Sequence, residues 1–549
     1  MLIAIRRAAI AIAATPAFRD NVGGLLVFRQ TIPLLRSRIP ISYGPDMTVR
    51  QFTLADVYRR NAALFPDRTA FICGGARVTH AQYLDRVQRL AAGLANLGIK
   101  PRDRIGVLSQ NSLDMVDLIG AAAWLGAILL PVNYRLSVEE IGYVLADGAP
   151  MVVIAGEDYH ETIAGLKSAM PFARHCIGIG SAHPSLMPFS DLASSDQHRL
   201  DSAANGDDGF VIIHTAAVGG RPRGALLSQT GLLTAQSSLV QAWGLTEHDV
   251  NFGALPLFHV AGLGLMLTVQ QAGGASVIAA KFDAAQAAHD IATKKVTVMS
   301  EFAPMLGSIM DQAQPGQLAS LRAVTGLDTP ATIERFEAEN PNARFWATFG
   351  QSETSGLATL SPYRDRPKSA GRPLFWRSIA VVDADDRPKP TGQTGEIVVR
   401  GPTVFKGYWN NEAANAVTFR NGWHHTGDMG YFDADGYLWY AGRAPEKELI
   451  KTGGENVYPA EVENAIRQHP AVAEVVVIGV PDPQWSEAIK AVCTLKPSGQ
   501  ATSEQIVAFV GDQIARYKRP KHVVFVAALP RTAGGEIDRA AVKAAHGQA

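Results

Sequence analysis

Two textures of apolar and polar positions divide this chain. Between about residues 60 and 440, short β-branched runs alternate with longer Ala- and Leu-rich stretches. The runs at 104–108, 151–155, 275–279 and 296–300 are examples. Such runs lack polar alternation, so they read as strands covered on both faces. Their alternation with helical stretches predicts α/β layers around buried sheets. The apolar run 118–130 is too short for a membrane span, is broken by glycines and ends at Pro131, which predicts a buried helix and then a strand. From about residue 375 the runs 379–382 and 396–400 are separated by Asp-rich turns at 383–386 and 433–436, which predicts hairpins. After Gly442-Arg443 the pattern changes again, to a helix over 461–467 and a strand over 475–480. Thr502 and Gln505 then form a capping box. The helix they open is expected to carry Ile506, Phe509, Val510, Ile514 and Tyr517 on one face. The division predicted is an extension over 1–46, a large unit over 47–443 and a small unit over 444–549, with a linker near Ala441 to Pro445.

Composition narrows the function classes. Lys+Arg and Asp+Glu stand at 51 each in 549 residues, so no global field favours nucleic acid. Cys73, Cys176 and Cys493 are too far apart for a disulfide framework or a thiolate metal site, which suits the cytoplasm. The first 46 residues differ from the rest. Arg6, Arg7, Arg19, Arg29, Arg36 and Arg38 face only two acids, Asp20 and Asp46, around an apolar stretch. That is a basic amphipathic extension, expected to make weak peripheral contact with an anionic membrane; its apolar region is too short for a secretion signal. A homodimer is left open.

Few segments carry chemistry. In HTAAVGGRPRGALLSQ (214–229), an apolar run from Phe210 to Ile213 enters a loop holding Gly219, Gly220 and Gly224, with Arg221 and Arg223 between. Glycine lets backbone N–H groups approach a phosphate, and arginine supplies charge. A strand feeding such a loop into a helix is a common phosphate cradle. Ala225 after Gly224 excludes the P-loop NTPase pattern. In FGQSETS (349–355), Glu353 stands beside the hydroxyls of Ser352, Thr354 and Ser355, a hard-oxygen set suited to Mg²⁺ carrying phosphates. The same stretch misses a nucleophile elbow because Thr354 occupies the second glycine position, which counts against a serine hydrolase. In 422–443, Asp428 and Arg443 lie among aromatic residues; the aspartate can accept both hydroxyls of a ribose, and the arginine stays charged. KTGGENVYP (451–459) adds Lys451, Gly453, Gly454 and Glu455. His259 sits alone among apolar residues in LPLFHVAG (255–262), a setting where histidine is usually a satisfied core residue. The Asp-x-Asp-Gly turns lack the downstream glutamate of a Ca²⁺ loop.

Taken in order, these segments resemble the acyl-adenylate-forming superfamily: acyl-CoA synthetases, luciferases and peptide-synthetase adenylation domains. The resemblance covers about residues 50 to 545. It implies an α/β fold, with a large αβαβα N-terminal domain, a small β-barrel-like part and a mobile C-terminal α+β domain. It also implies two half-reactions. A carboxylate attacks the α-phosphate of ATP, giving acyl-AMP and pyrophosphate; the thiol of coenzyme A then displaces AMP. The small domain rotates between them. By position, the resemblance assigns Thr215, Gly219, Gly220 and Arg223 to the phosphate loop and His259 to the gate beside the acyl pocket. Gly326, Leu327 and Asp328 fall beside the adenine, and Phe349, Gly350, Gln351 and Ser352 continue that wall to the phosphate. Glu353 takes the Mg²⁺ position, and Asp428 with Arg443 the ribose. Gly453, Gly454 and Glu455, with Lys451 beside them, line the pantetheine tunnel. Lys447 and Glu448 fall at the hinge, further from Arg443 than in the family pattern.

Two segments depart from that pattern. Ala216, Ala217 and Val218 replace hydroxyl and glycine residues of the phosphate loop. Glu536, in PRTAGGEIDR (530–539), stands where the family has a catalytic lysine bridging carboxylate and phosphate. Losing one such electrostatic group commonly costs about 10²–10³ in rate, and a reversed charge more. The expectation is therefore an ATP-dependent carboxylate:CoA ligase for an apolar monocarboxylic acid, fatty or aromatic, with an acyl pocket drawing on Val260, Leu263 and Phe302 between His259 and Phe349. The alternative is an adenylation-impaired homologue that binds nucleotide or acyl-CoA, or performs only the thioester step. Nothing within 444–549 resembles a carrier domain, so a peptide-synthetase module is not the expectation.

Overall fold

The computed structural model describes residues 51–193, 200–215, 221–443, 449–453, 455–482, 485–532 and 535–548. The basic extension, Gly219, Gly220, the Ala216–Val218 substitutions, Gly454, and the hinge pair Lys447 and Glu448 lie outside them.

Five layers build the large N-terminal domain. A nine-stranded sheet has Thr69–Cys73, Ala275–Ile278, Val250–Gly253, Val298–Phe302, Ala323–Leu327 and Arg344–Gln351 running parallel at its centre. An eight-stranded sheet has Arg104–Leu108 between Ile128–Pro131 and Val152–Ala155. Helices Leu54–Leu64, His80–Asn96, Leu113–Leu125 and Val260–Ala272 fill the space between the sheets, where Leu90, Trp124 and Met266 are buried in one core. Ile291, Ile309 and Phe336, from helices Ala284–Lys294, Met305–Gln312 and Pro330–Glu339, cover the outer face of the first sheet. Ile141, Leu145 and Ile163, from Val138–Gly148 and His160–Leu166, cover the second. This is the αβαβα order expected. Strands sandwiched on both faces cannot alternate with polar residues, which is why their sequence runs were so apolar.

The 118–130 run behaves as its composition requires. Helix Leu113–Leu125 is buried on nearly every side, Gly126 caps it at φ 66°, and Ile128–Pro131 follows as a strand. A methyl group at Gly120 would meet Val87 Cγ2 at 2.4 Å and Tyr83 Oη at 2.6 Å, so glycine sets how closely the neighbouring helix packs. Among the described residues, no helix is long and apolar enough to cross a membrane.

The β-rich part is a five-stranded antiparallel sheet including Ser378–Val382, Gly395–Arg400, Trp423–Phe432 and Leu438–Arg443. Its Asp-rich segments are turns: Asp433 accepts from the amides of Asp435 and Tyr437, and Asp383 from those of Asp385 and Arg387. In the small C-terminal domain, the long hairpin Val472–Asp482 with Ser486–Leu495 packs on helices Pro459–Arg467 and Ser503–Gly511.

Three expectations need correction. The glycine loop does not lead into a helix. Arg223–Ser228 returns as a strand antiparallel to Gly209–Thr215, pairing Leu226 with Ile212 and Arg223 with Thr215, and the helix Gln229–Trp243 comes only afterwards. The apolar residues 225–227 find strand partners, which overrides the local strand-loop-helix reading. The strand expected at 296–300 spans Val298–Phe302 instead, which places Glu301 and Phe302 on the sheet. Finally, the helix after Thr502 stops at Gly511. Ile514 and Tyr517 join the same core from the following turn, while Phe509 packs edge-on against His469.

Candidate active site

Strand ends and turns bring the singled-out side chains to one place. Glu353 lies in a short turn, Ser352–Thr354, directly after the strand Arg344–Gln351, and is only 8% exposed. It is not a solvated loop carboxylate. Its Oε1 accepts from the Thr215 hydroxyl at 3.2 Å and from the Tyr408 hydroxyl at 2.9 Å. Arg223 lies over the Tyr408 ring, 4.4 Å from its centre. Thr215 and Arg223 are register partners on paired strands, and the Thr215 hydroxyl ties that strand end to the glutamate expected to hold Mg²⁺.

Asp428 and Arg443 are also register partners, on the antiparallel strands Trp423–Phe432 and Leu438–Arg443. Arg443 Nε lies 3.0 Å from Asp428 Oδ1, Tyr440 Oη donates to the same oxygen at 3.2 Å, and Gln351 Nε2 donates to Oδ2. Burial alone would lower the Arg443 pKa; the charge of Asp428 outweighs it and holds the guanidinium protonated. Arg443 Nη1 also donates to Tyr458 of the small domain at 3.1 Å. Lys451 sits 5.3 Å from the centre of the Tyr440 ring. Burial lowers its pKa, an effect that Asp428 partly opposes.

Glu455 faces the large domain. It is buried, pairs with Arg135, and places Oε2 3.4 Å from Nε2 of His259. Burial would raise its pKa, but the positive field of His259 and Arg135 prevails and brings it down to about 2. Nearby, Lys518 donates to both Glu140 of the large domain and Glu461. His259 is therefore no satisfied core histidine. It lines a cavity of about 520 Å³ and also a smaller one of about 80 Å³. Ser352 and Asn456 line both as well, so the two meet beside the Glu353 turn.

The large cavity joins most of the expected residues: His259, Gly326, Leu327, Asp328, Phe349, Gly350, Gln351, Ser352, Asp428 and Lys451 all line it. Its apolar wall carries Val260, Leu265 and Phe302. Leu263 is corrected: it is fully buried in the core between the sheets, because helical spacing turns Gly264 and Leu265 to the cavity instead. No arginine lines the cavity among the described residues. Gly453, at φ 56°, lies against the Trp485 ring, where a Cβ would stand 2.8 Å from the ring. Glu536 is not brought to the site. It is exposed in a turn, its carbonyl accepting from the Thr532 amide, and does not line the cavity.

Sequence reasoning missed Tyr408, Arg135, Tyr440, Trp485 and Glu301. Tyr440 lies three residues before Arg443, which plain strand alternation would send to the opposite face; the irregularity in the pairing between Asp428 and Gly430 brings it round to Asp428. The others come from distant segments, and only the fold brings them in.

Comparison with known proteins agrees with this arrangement. The AMP-binding enzyme family matches residues 58–409, and the AMP-binding enzyme C-terminal domain matches 461–536. A feruloyl-CoA synthase from Amycolatopsis sp. is 32% identical over 492 residues, covering 88% of this chain and 97% of its own. An indoleacetate–CoA ligase from Aromatoleum aromaticum is 33% identical over 494 residues, covering 88% and 96%. Among solved structures, that of a long-chain-fatty-acid CoA ligase, so named provisionally, from Rhodopseudomonas palustris is 68% identical, with TM-score 0.71, covering 72% of this chain and all 100% of its own. The o-succinylbenzoate CoA synthetase of Bacillus subtilis, 28% identical as a double mutant bound to a product analogue, superposes with TM-score 0.79 (89% and 97% covered). With its acyl-adenylate intermediate it is matched at 27% identity and TM-score 0.65 (89% and 97% covered). With this match over most of its length, the chain belongs to the AMP-binding enzyme family, as an AMP-forming acid–thiol ligase of the acyl-CoA synthetase kind.

Proposed function

We propose that this protein activates an apolar monocarboxylic acid, fatty or aromatic, as its acyl-AMP and passes the acyl group to coenzyme A. The observation that carries this reading is the single cavity joining an arginine-free apolar wall (Val260, Leu265, Phe302) to the Phe349–Ser352 wall and Asp428. Its volume, about 520 Å³, falls within the usual range for small-ligand sites. Feruloyl, indoleacetyl and long-chain fatty acyl groups, named for relatives, are all bulky and largely apolar.

ATP and coenzyme A are the cosubstrates on this reading. Glu353, with the Thr215 hydroxyl, is a hard-oxygen set that fits a magnesium ion, and such an ion would supply positive charge to the nucleotide phosphates. The protein's own groups do the rest. Arg223 faces the phosphate side, Asp428 accepts the ribose hydroxyls, and Phe349 forms part of the nucleotide wall. His259 stands where acyl and thiol must meet.

The placement of Glu455 supports a domain arrangement suited to thioester formation. Glu455 lines the small cavity and Asn456 lines both, while Glu536 lines neither. The closer superposition on the product-analogue complex than on the adenylate complex points the same way. Glu536 in the family lysine position also supports a second reading, in which adenylation is slow and the thioester step is intact. One experiment separates them: pyrophosphate release from Mg·ATP with a panel of monocarboxylic acids, with and without coenzyme A, on the natural protein and on Glu536→Lys. Fast release by the natural protein, with acyl-CoA formed, establishes the full ligase. Slow release that rises at least about 10²-fold in Glu536→Lys establishes the impaired form. No acyl-CoA from either ATP or supplied acyl-AMP would refute both.

A further inference from the structure

Two side chains on the acyl face of the large cavity keep hydrogen-bonding capacity to spare. On that face Val298 and Ala323 pack with Leu239, Leu265 and Val269, where the nine-stranded sheet meets helices Gln229–Trp243 and Val260–Ala272. Met299 and Val324 pack on the opposite face, with Leu306 and Ile333. Side chains alternate along a strand, so Ser300 and Phe302 share the face of Val298, and Glu301 takes the other. Ser300 and Phe302 line the cavity there, and Gln236 joins them from helix Gln229–Trp243.

Gln236 is 5% exposed. Its Oε1 accepts from the Thr268 hydroxyl at 2.6 Å, which fixes the orientation of the amide. Nε2 carries two N–H donors. Among the described residues it finds one acceptor, the Ser355 carbonyl, at the long distance of 3.4 Å. Glycine keeps the approach to Nε2 open. A Cβ on Gly264 would stand 3.1 Å from it, and one on Gly356 would stand 3.9 Å from both Nε2 and Val260 Cγ2 with nothing closer. Both glycines line the cavity. The hydroxyl of Ser300, a half-buried residue, has no bonding partner among the described residues. Its neighbours on the same face are committed elsewhere: Thr325 donates to the Trp346 carbonyl at 2.9 Å and Thr348 to the Thr359 carbonyl at 2.7 Å. Buried donors without a good acceptor are costly, so this pair calls for an oxygen on whatever fills the pocket. From His259, at the N-cap of its helix, to Gly264 is five residues, a rise of about 7.5 Å. With the reacting carboxyl beside His259, the pair stands toward the far part of the acyl group.

We infer that Gln236 and Ser300 set acyl specificity by hydrogen-bonding an oxygen, hydroxyl or methoxyl, carried by the acyl group away from its carboxyl. The preferred acid is then largely apolar but not a plain hydrocarbon. Gln236 Nε2 donates to that oxygen. The Ser300 hydroxyl donates to it as well or, for a hydroxyl substituent, accepts from it. Val260, Leu265 and Phe302 take the carbon frame. A methyl group in place of the hydroxyl fills similar volume but leaves both side chains unpaired, and a site built to bond a hydroxyl rejects such an analogue strongly. The inference rests on the proposed ligase reading.

The test compares isosteric acyl-AMPs: para-hydroxycinnamoyl with para-methylcinnamoyl, and omega-hydroxyoctanoyl with nonanoyl. Each is supplied with coenzyme A to the full chain, and kcat/KM for acyl-CoA is read. Supplying the acyl-AMP bypasses the half-reaction that Glu536 puts in question. The natural protein is expected to prefer the oxygen-bearing member of at least one pair by about tenfold or more. Gln236→Leu should bring that ratio within about threefold, and Ser300→Ala should lower it several-fold. A purely structural loss would slow both members alike and leave the ratio standing. Thr268 keeps the Gly264 carbonyl as acceptor at 2.8 Å, so Gln236→Leu strands no hydroxyl. No preference within either pair overturns the inference, and so does an unmoved ratio in folded Gln236→Leu. If that variant does not fold, Ser300→Ala decides in its place: a lowered ratio supports the inference and an unmoved one overturns it. Absence of acyl-CoA from all four acyl-AMPs would instead sink the ligase reading itself.

Discussion

Replacing Glu455 with glutamine tests how the small domain is held against the large one. Glu455 is 5% exposed, and its pKa is depressed from 4.5 to about 2. That difference corresponds to roughly 3 kcal/mol favouring the ionised form. Arg135, its partner across the domains, keeps 40% of its side chain exposed, so solvent screening reduces what the pair contributes. About 1–2 kcal/mol is a reasonable net value, or roughly a 5- to 30-fold change in the population of this arrangement. The assay is acyl-CoA formation from supplied acyl-AMP and coenzyme A, with AMP binding measured in parallel. Glu455→Gln should slow thioester formation by that factor and leave AMP affinity within about threefold. The pH dependence has a definite sign. The folded pKa lies below the unfolded one, so the contribution is fully present above pH 4.5 and is lost as pH falls from there toward 2. An unchanged thioester rate in Glu455→Gln, or an equal loss of AMP affinity, would refute the reasoning.

Three further outcomes are expected. Lys518→Met removes the buried cation shared by Glu140 and Glu461, leaving a buried and a part-buried carboxylate facing each other; it should lower the unfolding free energy by about 3 kcal/mol in thermal or denaturant melts, and Lys518→Arg should recover part of the loss. Tyr408→Phe deletes one of the two hydroxyls that hold Glu353 Oε1; it should raise the Mg·ATP requirement several-fold, corresponding to about 1–1.5 kcal/mol, and an unchanged metal titration would count against the site. Leu265→Ala, on the apolar wall, should widen the range of acids accepted in a competition assay while leaving AMP affinity unchanged, whereas Leu263→Ala should only destabilise the core, by about 2–5 kcal/mol.

Much of the fold was legible because its signals are local. Sandwiched strands need continuous apolar runs, as in Arg104–Leu108, and helix starts need caps, as in the Thr502–Gln505 box, where both reciprocal bonds form. The misreadings occurred where local signals competed with distant ones. The glycine loop was read as strand-loop-helix, but residues 223–228 found a strand to pair with. Helix Ser503–Gly511 stopped early even though apolar spacing continued, because Ile514 and Tyr517 reach the same core from a turn. Leu263 and Leu265 are equally apolar, and only helix orientation decides which one faces the cavity.

The site divides along the same line. Residue types and order in short segments named Glu353, Asp428 and Arg443, while the resemblance of the ordered segments to a family added His259 and Glu455 and marked Glu536 as anomalous. The sequence by itself could not say that Thr215 and Tyr408 both bond Glu353, since those three positions are far apart in the chain and meet only when hairpin and sheet assemble. Nor could it separate Glu301 from Phe302. The two are neighbours in sequence, but strand alternation sends one to each face of the sheet, leaving one a fully buried acid and the other part of an apolar wall. Residue chemistry was fixed locally; which groups share a cavity, and with what protonation, was decided by packing, because only the folded chain excludes water from them.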